Sequence, residues 1–142
     1  MKAILFCVLL LSGISCSVKP EPLAYGKDAC HACKMTLVDN KFGAEIVTNK
    51  GKIFKFDDVN CLVGFYNSGN VAAIDVHSIL VVDYLKAETL LDATAAFYVK
   101  SDNIRGPMGG DVAAFAQSET AQAQRETSKG KVLRWNEVLQ AF

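Results

Sequence analysis

The chain has 142 residues, 51% of them hydrophobic and 21% charged, with 15 basic and 15 acidic side chains in formal balance. That length suits one domain with a sizeable core, or two very small ones. No basic patch or long charge block occurs, which argues against nucleic acid as a partner.

Residues 1–15 read as a secretory signal. Met1-Lys2 gives a positive start, residues 3–11 an apolar run too short for a lasting bilayer span, and residues 12–15 are mostly small. Cys16 then stands at a lipobox-like position, with Gly13 where Leu is usual. Cleavage before Cys16 and acylation of its thiol would make a bacterial lipoprotein, held in the cell envelope by its lipid and facing the periplasm. Cleavage without a lipid is the plain alternative. Cys7 would leave with the signal, as would Lys2, leaving 14 basic against 15 acidic side chains. Residues 16–24, with Pro20 and Pro22, read as an extended tether. Three thiols then remain, Cys30, Cys33 and Cys61. An odd number outside the cytoplasm cannot all pair within one molecule.

The domain spans 25–142, with halves at 25–84 and 85–142. Residues 34–38 are short and apolar enough for a strand. Residues 43–48 and 52–56 are predicted as two strands around a turn at Asn49-Lys50-Gly51, where Gly51 accepts a positive φ. In 59–67, Leu62, Phe65 and Tyr66 recur at helical spacing behind Asp57-Asp58, either of which can cap the first turn. Residues 72–84, rich in Val and Ile, read as a strand. Residues 94–100 and 111–116 are predicted strands around a glycine-rich loop at 104–110. Residues 118–127 form a helix that Ser118 can cap, 131–134 are ambiguous, and 135–142 suggest a terminal amphipathic helix. Strand, strand, helix, strand thus occurs about twice. This pattern predicts an α+β fold of two similar ββαβ halves with mixed or antiparallel sheets.

Chemistry concentrates in Cys30-His31-Ala32-Cys33-Lys34-Met35 and in Arg105-Gly106-Pro107-Met108-Gly109-Gly110. Thiolate and thioether are soft donors and favour Cu(I) over hard ions. On a strand beginning at Cys33, Cys33 and Met35 share a face, and His31 joins the alternation. Met108 lies among glycines, outside any core run. Three other readings compete. A thioredoxin-like enzyme places Cys-x-x-Cys between a strand and a helix, where the thiol pKa falls; the residues flanking Cys30 and Cys33 do not read that way. Structural zinc needs a second ligand pair. A plain disulfide, Cys30 to Cys33 or either to Cys61, needs nothing more. Cys61, on the apolar side of its helix, defaults to a buried small hydrophobe, and His77 to an ordinary strand histidine.

The chain resembles the NosL lipoproteins, copper-binding accessory proteins of nitrous oxide reductase maturation. The resemblance runs through Asp28-Ala29-Cys30-His31-Ala32-Cys33-Lys34-Met35, Lys55-Phe56-Asp57-Asp58-Val59-Asn60-Cys61-Leu62, Ala96-Phe97-Tyr98-Val99 and Pro107-Met108-Gly109-Gly110-Asp111-Val112-Ala113-Ala114-Phe115. Lys34 departs from the pattern, standing where the family usually has Gly. The resemblance implies two ββαβ halves akin to the mercury-lyase core and a Cu(I) site. Carried over by position, Cys33, Met35 and Met108 are the first ligand candidates, with Cys30 and His31 behind them. It further implies a carrier rather than an enzyme, taking copper from a membrane donor and giving it to an accepting enzyme, nitrous oxide reductase, in the periplasm.

Overall fold

A computed structural model describes residues 18–142. The predicted signal at 1–15, Cys7 and the lipidation candidate Cys16 lie outside the described residues. No helix among those described is long and apolar enough to cross a membrane. The predicted tether ends by packing: Leu23 is buried, and the Ala24 N–H donates to Asp28 Oδ2 at 2.8 Å.

β1 (Ala44–Thr48) and β2 (Ile53–Phe56) form the expected hairpin, antiparallel with Ile46 opposite Phe54. Gly51 closes the turn at φ +76°. Alternation along β2 buries Phe54 and Phe56 and leaves Ile53 and Lys55 partly exposed. α1 (Val59–Asn67) starts where Asp58, in extended backbone, caps it by accepting from the Cys61 N–H at 2.9 Å. Val59, Leu62 and Val63 form its buried face. After a single 3₁₀ turn at Ala73–Asp75, β3 (Val76–Val82) returns antiparallel to β1, and β4 (Leu90–Asp92) pairs with its far side.

The second half repeats the plan. β5 (Phe97–Lys100) and β6 (Val112–Phe115) pair antiparallel, α2 (Ser118–Ser128) follows, and β7 (Lys131–Leu133) pairs with β5; α3 (Trp135–Gln140) ends the chain. The sheet orders are β2-β1-β3-β4 and β6-β5-β7. Each half therefore puts its first strand in the middle and its helix between its second and third strands, which is the predicted ββαβ pattern. An isolated parallel bridge, Asp83 to Ala114, joins the sheets. One core cluster, including Ile46, Phe56, Leu62 and Tyr98, runs through both halves. A smaller one, around Val99, Phe115 and Ala121, lies under α2.

Three details differ from the sequence reading. Residues 34–38 are not a strand: a lone bridge links Ala29 to Thr36, and Lys34 sits at φ +68°, which no strand accommodates. β4 was not foreseen, since three residues carry no readable alternation. The N-cap of α2 is Gln117, without a side-chain bond, and Ser118 is already helical.

Candidate metal centre

The Cys30–Met35 segment is a closed turn. The Cys30 N–H donates to the Met35 carbonyl at 2.8 Å, and the Lys34 N–H to the Cys30 carbonyl at 2.9 Å. Lys34 takes the left-handed conformation needed to fold the chain back, and its Nζ donates to the His31 carbonyl at 2.7 Å. His31 fastens this turn to β2. Its N–H donates to the Lys55 carbonyl at 2.8 Å, and its Nδ1 accepts the Lys55 N–H at 3.0 Å. Its ring meets Phe54 edge-on at 5.2 Å. With Nδ1 as acceptor, a neutral imidazole carries its proton on Nε2.

β2 leads directly into α1, and this places Cys61, in the first helical turn, beside the Cys30 turn. The Sγ atoms of Cys30, Cys33 and Cys61 all lie within 4.8 Å of one another. Metal–thiolate bonds of about 2.3 Å put the sulfurs of a planar three-coordinate site about 4.0 Å apart, so little movement closes the group on one ion. All three thiols are free. Cys30 is 1% exposed; Cys33 and Cys61 are partly so. Among the described residues, no histidine or carboxylate joins the group.

The three sulfurs are electrostatically unequal. The neighbouring Cys61 thiol is the largest influence on Cys30 and lowers its pKa; burial opposes this, and the nearby backbone of Cys33, Asp57 and Ala32 adds to the lowering. Cys61 is pushed strongly upward, first by Cys30 and then by burial and the Asp58 charge. Burial raises Cys33. Cys30 is therefore the most acidic thiol of the three, while Cys33 and Cys61 are held above the ordinary thiol value.

The paired aspartates hold the surrounding loops. Asp57 Oδ1 accepts the Val38 N–H at 3.4 Å, and burial raises its carboxyl above the ordinary value. Asp58 Oδ2 accepts the Met108 N–H at 3.2 Å. The loop carrying Met108 closes on itself where the Gly106 N–H donates to the Gly110 carbonyl at 2.6 Å.

Of the residues singled out in the sequence, the fold gathers Cys30 and Cys33. Met35 follows on the same turn with its side chain 56% exposed, and Met108, 37% exposed, is tied to the helix start through its own N–H. His31 stands outside the sulfur group and buttresses the turn. His77 is an exposed residue of β3. Sequence reasoning missed Cys61 as a member of the sulfur group. Its available signals were the odd thiol count and its position three residues after a capping aspartate. The Cys-x-x-Cys pair occupies a turn with no helix beginning at it, unlike a thioredoxin-type pair.

The NosL family model matches residues 24–142. A curated relative, the copper-binding lipoprotein NosL of Stutzerimonas stutzeri, is 30% identical over 152 aligned residues, covering 97% of this chain and 80% of that protein. The crystal structure of the copper chaperone NosL from Shewanella denitrificans superposes with a TM-score of 0.75, covering 89% of this chain and 99% of that one at 23% identity. That likeness establishes the α+β fold of two similar halves. On the span of the family match and the identity to the curated relative, the chain belongs to the NosL family.

Proposed function

We propose that this chain is a Cu(I) carrier rather than an enzyme, and that its cargo sits on the thiolates of Cys30, Cys33 and Cys61. The observation that carries this reading is the convergence of three sulfurs within 4.8 Å in a member of a family whose curated relative is named for copper binding. Soft donors favour Cu(I). A structural zinc site needs four protein ligands, and the described residues bring together three. Met35 and Met108, both exposed, would add thioethers, donors that need no deprotonation and cannot be lost to a disulfide. His31 supports the turn. Low coordination leaves an open side through which an acceptor's ligand can enter, so transfer proceeds by ligand exchange. Cys16, if acylated, would anchor the domain in the envelope, facing the periplasm. There it would take copper from a membrane donor and deliver it to nitrous oxide reductase.

The test is titration of the mature chain with Cu(I) against a competing chelator. Cys33→Ser and Cys61→Ser are each expected to weaken binding by at least about tenfold, the lower end of what disturbing a metal site's supporting shell costs. Wild-type affinity in both variants would overturn the sulfur assignment. Transfer to apo nitrous oxide reductase, followed by the return of its copper absorption, tests the client.

A further inference from the structure

Asp57 and Asp58 are matched family residues whose role the sequence leaves open. We propose that Asp58 is a positioning residue of the metal centre, one carboxylate that holds the methionine loop against the helix carrying Cys61. The proposal rests on the reading above that Met108 donates to the metal.

Asp58 is 1% exposed, and its two oxygens are divided between a residue three positions on and one fifty positions on. Oδ1 accepts the Cys61 N–H at 2.9 Å; Oδ2 accepts the Met108 N–H at 3.2 Å. The loop is built to admit that carboxylate. A Cβ at Gly110 would lie 2.6 Å from Oδ2 and 3.0 Å from Asn60 Nδ2, and a Cβ at Gly106 would lie 3.3 Å from Oδ2. Gly110 therefore leaves room for Asp58 and Asn60, Gly106 for the Gly110 carbonyl at 2.9 Å and then for Asp58, whereas Gly109 faces open space and serves its positive φ. Only a carboxylate can do both jobs. Serine has one oxygen, enough for the helix cap. Asparagine can cap with its oxygen but turns an NH₂ toward the Met108 N–H, donor against donor. Asn and Ser are both good N-caps, so both substitutions should leave α1 capped.

The experiment measures Cu(I) affinity by chelator competition on the mature chain for wild type, Asp58→Asn, Asp58→Ser, Met108→Leu and the Asp58→Asn/Met108→Leu double variant. In parallel, amide exchange is followed by NMR in the metal-free protein. Asp58→Asn and Asp58→Ser are each expected to bind about 10–100-fold more weakly. Most of the Asn penalty should vanish in the Met108→Leu background, since coupled residues are not additive. The Met108 amide should exchange faster in Asp58→Asn while the Leu62 amide keeps its protection. An undiminished penalty in the double variant, or unchanged Met108 exchange, would overturn the proposal. Wild-type affinity in Met108→Leu would instead overturn the ligand reading, and the exchange of the Met108 amide alone would then decide whether Asp58 holds the loop.

Discussion

Cys30 stands apart from its two neighbours because its buried sulfur lies beside the Cys61 thiol and the backbone of Cys33, Asp57 and Ala32, which together lower its pKa. Its value is lowered, whereas those of Cys33 and Cys61 are raised. Loading three thiolates must then release about two protons, and metal affinity must rise with pH. Competition titrations across roughly pH 6 to 8, between the ordinary His and Cys values, should show log K climbing by about two per unit; a flat profile would contradict the three-thiolate site. The sequence showed two of these sulfurs and hid the third. Cys61 packs against the core as its helical position predicted. Its second neighbour, the Cys30 turn, depends on where β2 delivers the chain, and no local pattern encodes that. The anchoring of His31 was hidden for a related reason: its bonds go to the β2 backbone, a partner 24 residues away.

At the scale of elements, the regular parts were readable and the turns that shape the centre were not. The turn at Asn49-Lys50-Gly51, the helical spacing of Leu62, Phe65 and Tyr66 and a capping aspartate made β1, β2 and α1 readable nearly to the residue, because each is decided by neighbours in sequence. Residues 34–38 failed because their apolar content fits a strand, while Lys34 is forced left-handed by the closure of the turn at Cys30. Glycine is the residue with least resistance to that conformation, and Lys34 takes it at φ +68°. Glycines elsewhere separate by environment. Gly110→Ala would push its Cβ into Asp58 and Asn60, with an expected loss of about 1–3 kcal/mol in urea unfolding, the usual cost of overpacking. Gly64→Ala, in α1 with nothing within 4 Å of the new methyl, should gain about 0.5–1 kcal/mol by the same measurement. Equal effects at the two positions would show that the loop does not grip Asp58 as described.

For the molecule as a whole, the twofold ββαβ plan was legible from the order of elements, whereas the coupling of the halves was not. It rests on a shared core and on the Asp83–Ala114 bridge. The central strand of the first sheet also holds a feature no pattern announced. Glu45 is fully buried on β1, opposite Lys55 and Leu80, and both its oxygens lack a hydrogen-bond partner. The Lys55 ammonium is engaged with Asp28 at 2.7 Å and Glu21 at 3.6 Å. Burial pushes the Glu45 carboxyl from 4.5 up to about 7, with the Lys55 charge opposing and those of Glu21 and Asp28 assisting. Between those values the unfolded chain loses the proton that the native state keeps, so stability falls as pH rises through the window and levels off above it. The full fall is up to about 3 kcal/mol. Glu45→Gln should flatten the difference between urea midpoints at about pH 5 and about pH 8; an unchanged difference would place its origin elsewhere.

The sulfur group also has a mechanical side. Cys30 and Cys33 belong to a turn fastened to β2, and Cys61 belongs to α1, so an ion shared among them ties two elements together as a removable cross-link. A ligand that binds the native state alone raises stability by mass action, about 4 kcal/mol at a thousandfold excess over Kd. Heating the domain with and without Cu(I) would then read its load directly as a difference in melting temperature. An acceptor that withdraws the ion takes away cargo and brace together, and leaves behind a carrier that unfolds more easily than the one that arrived.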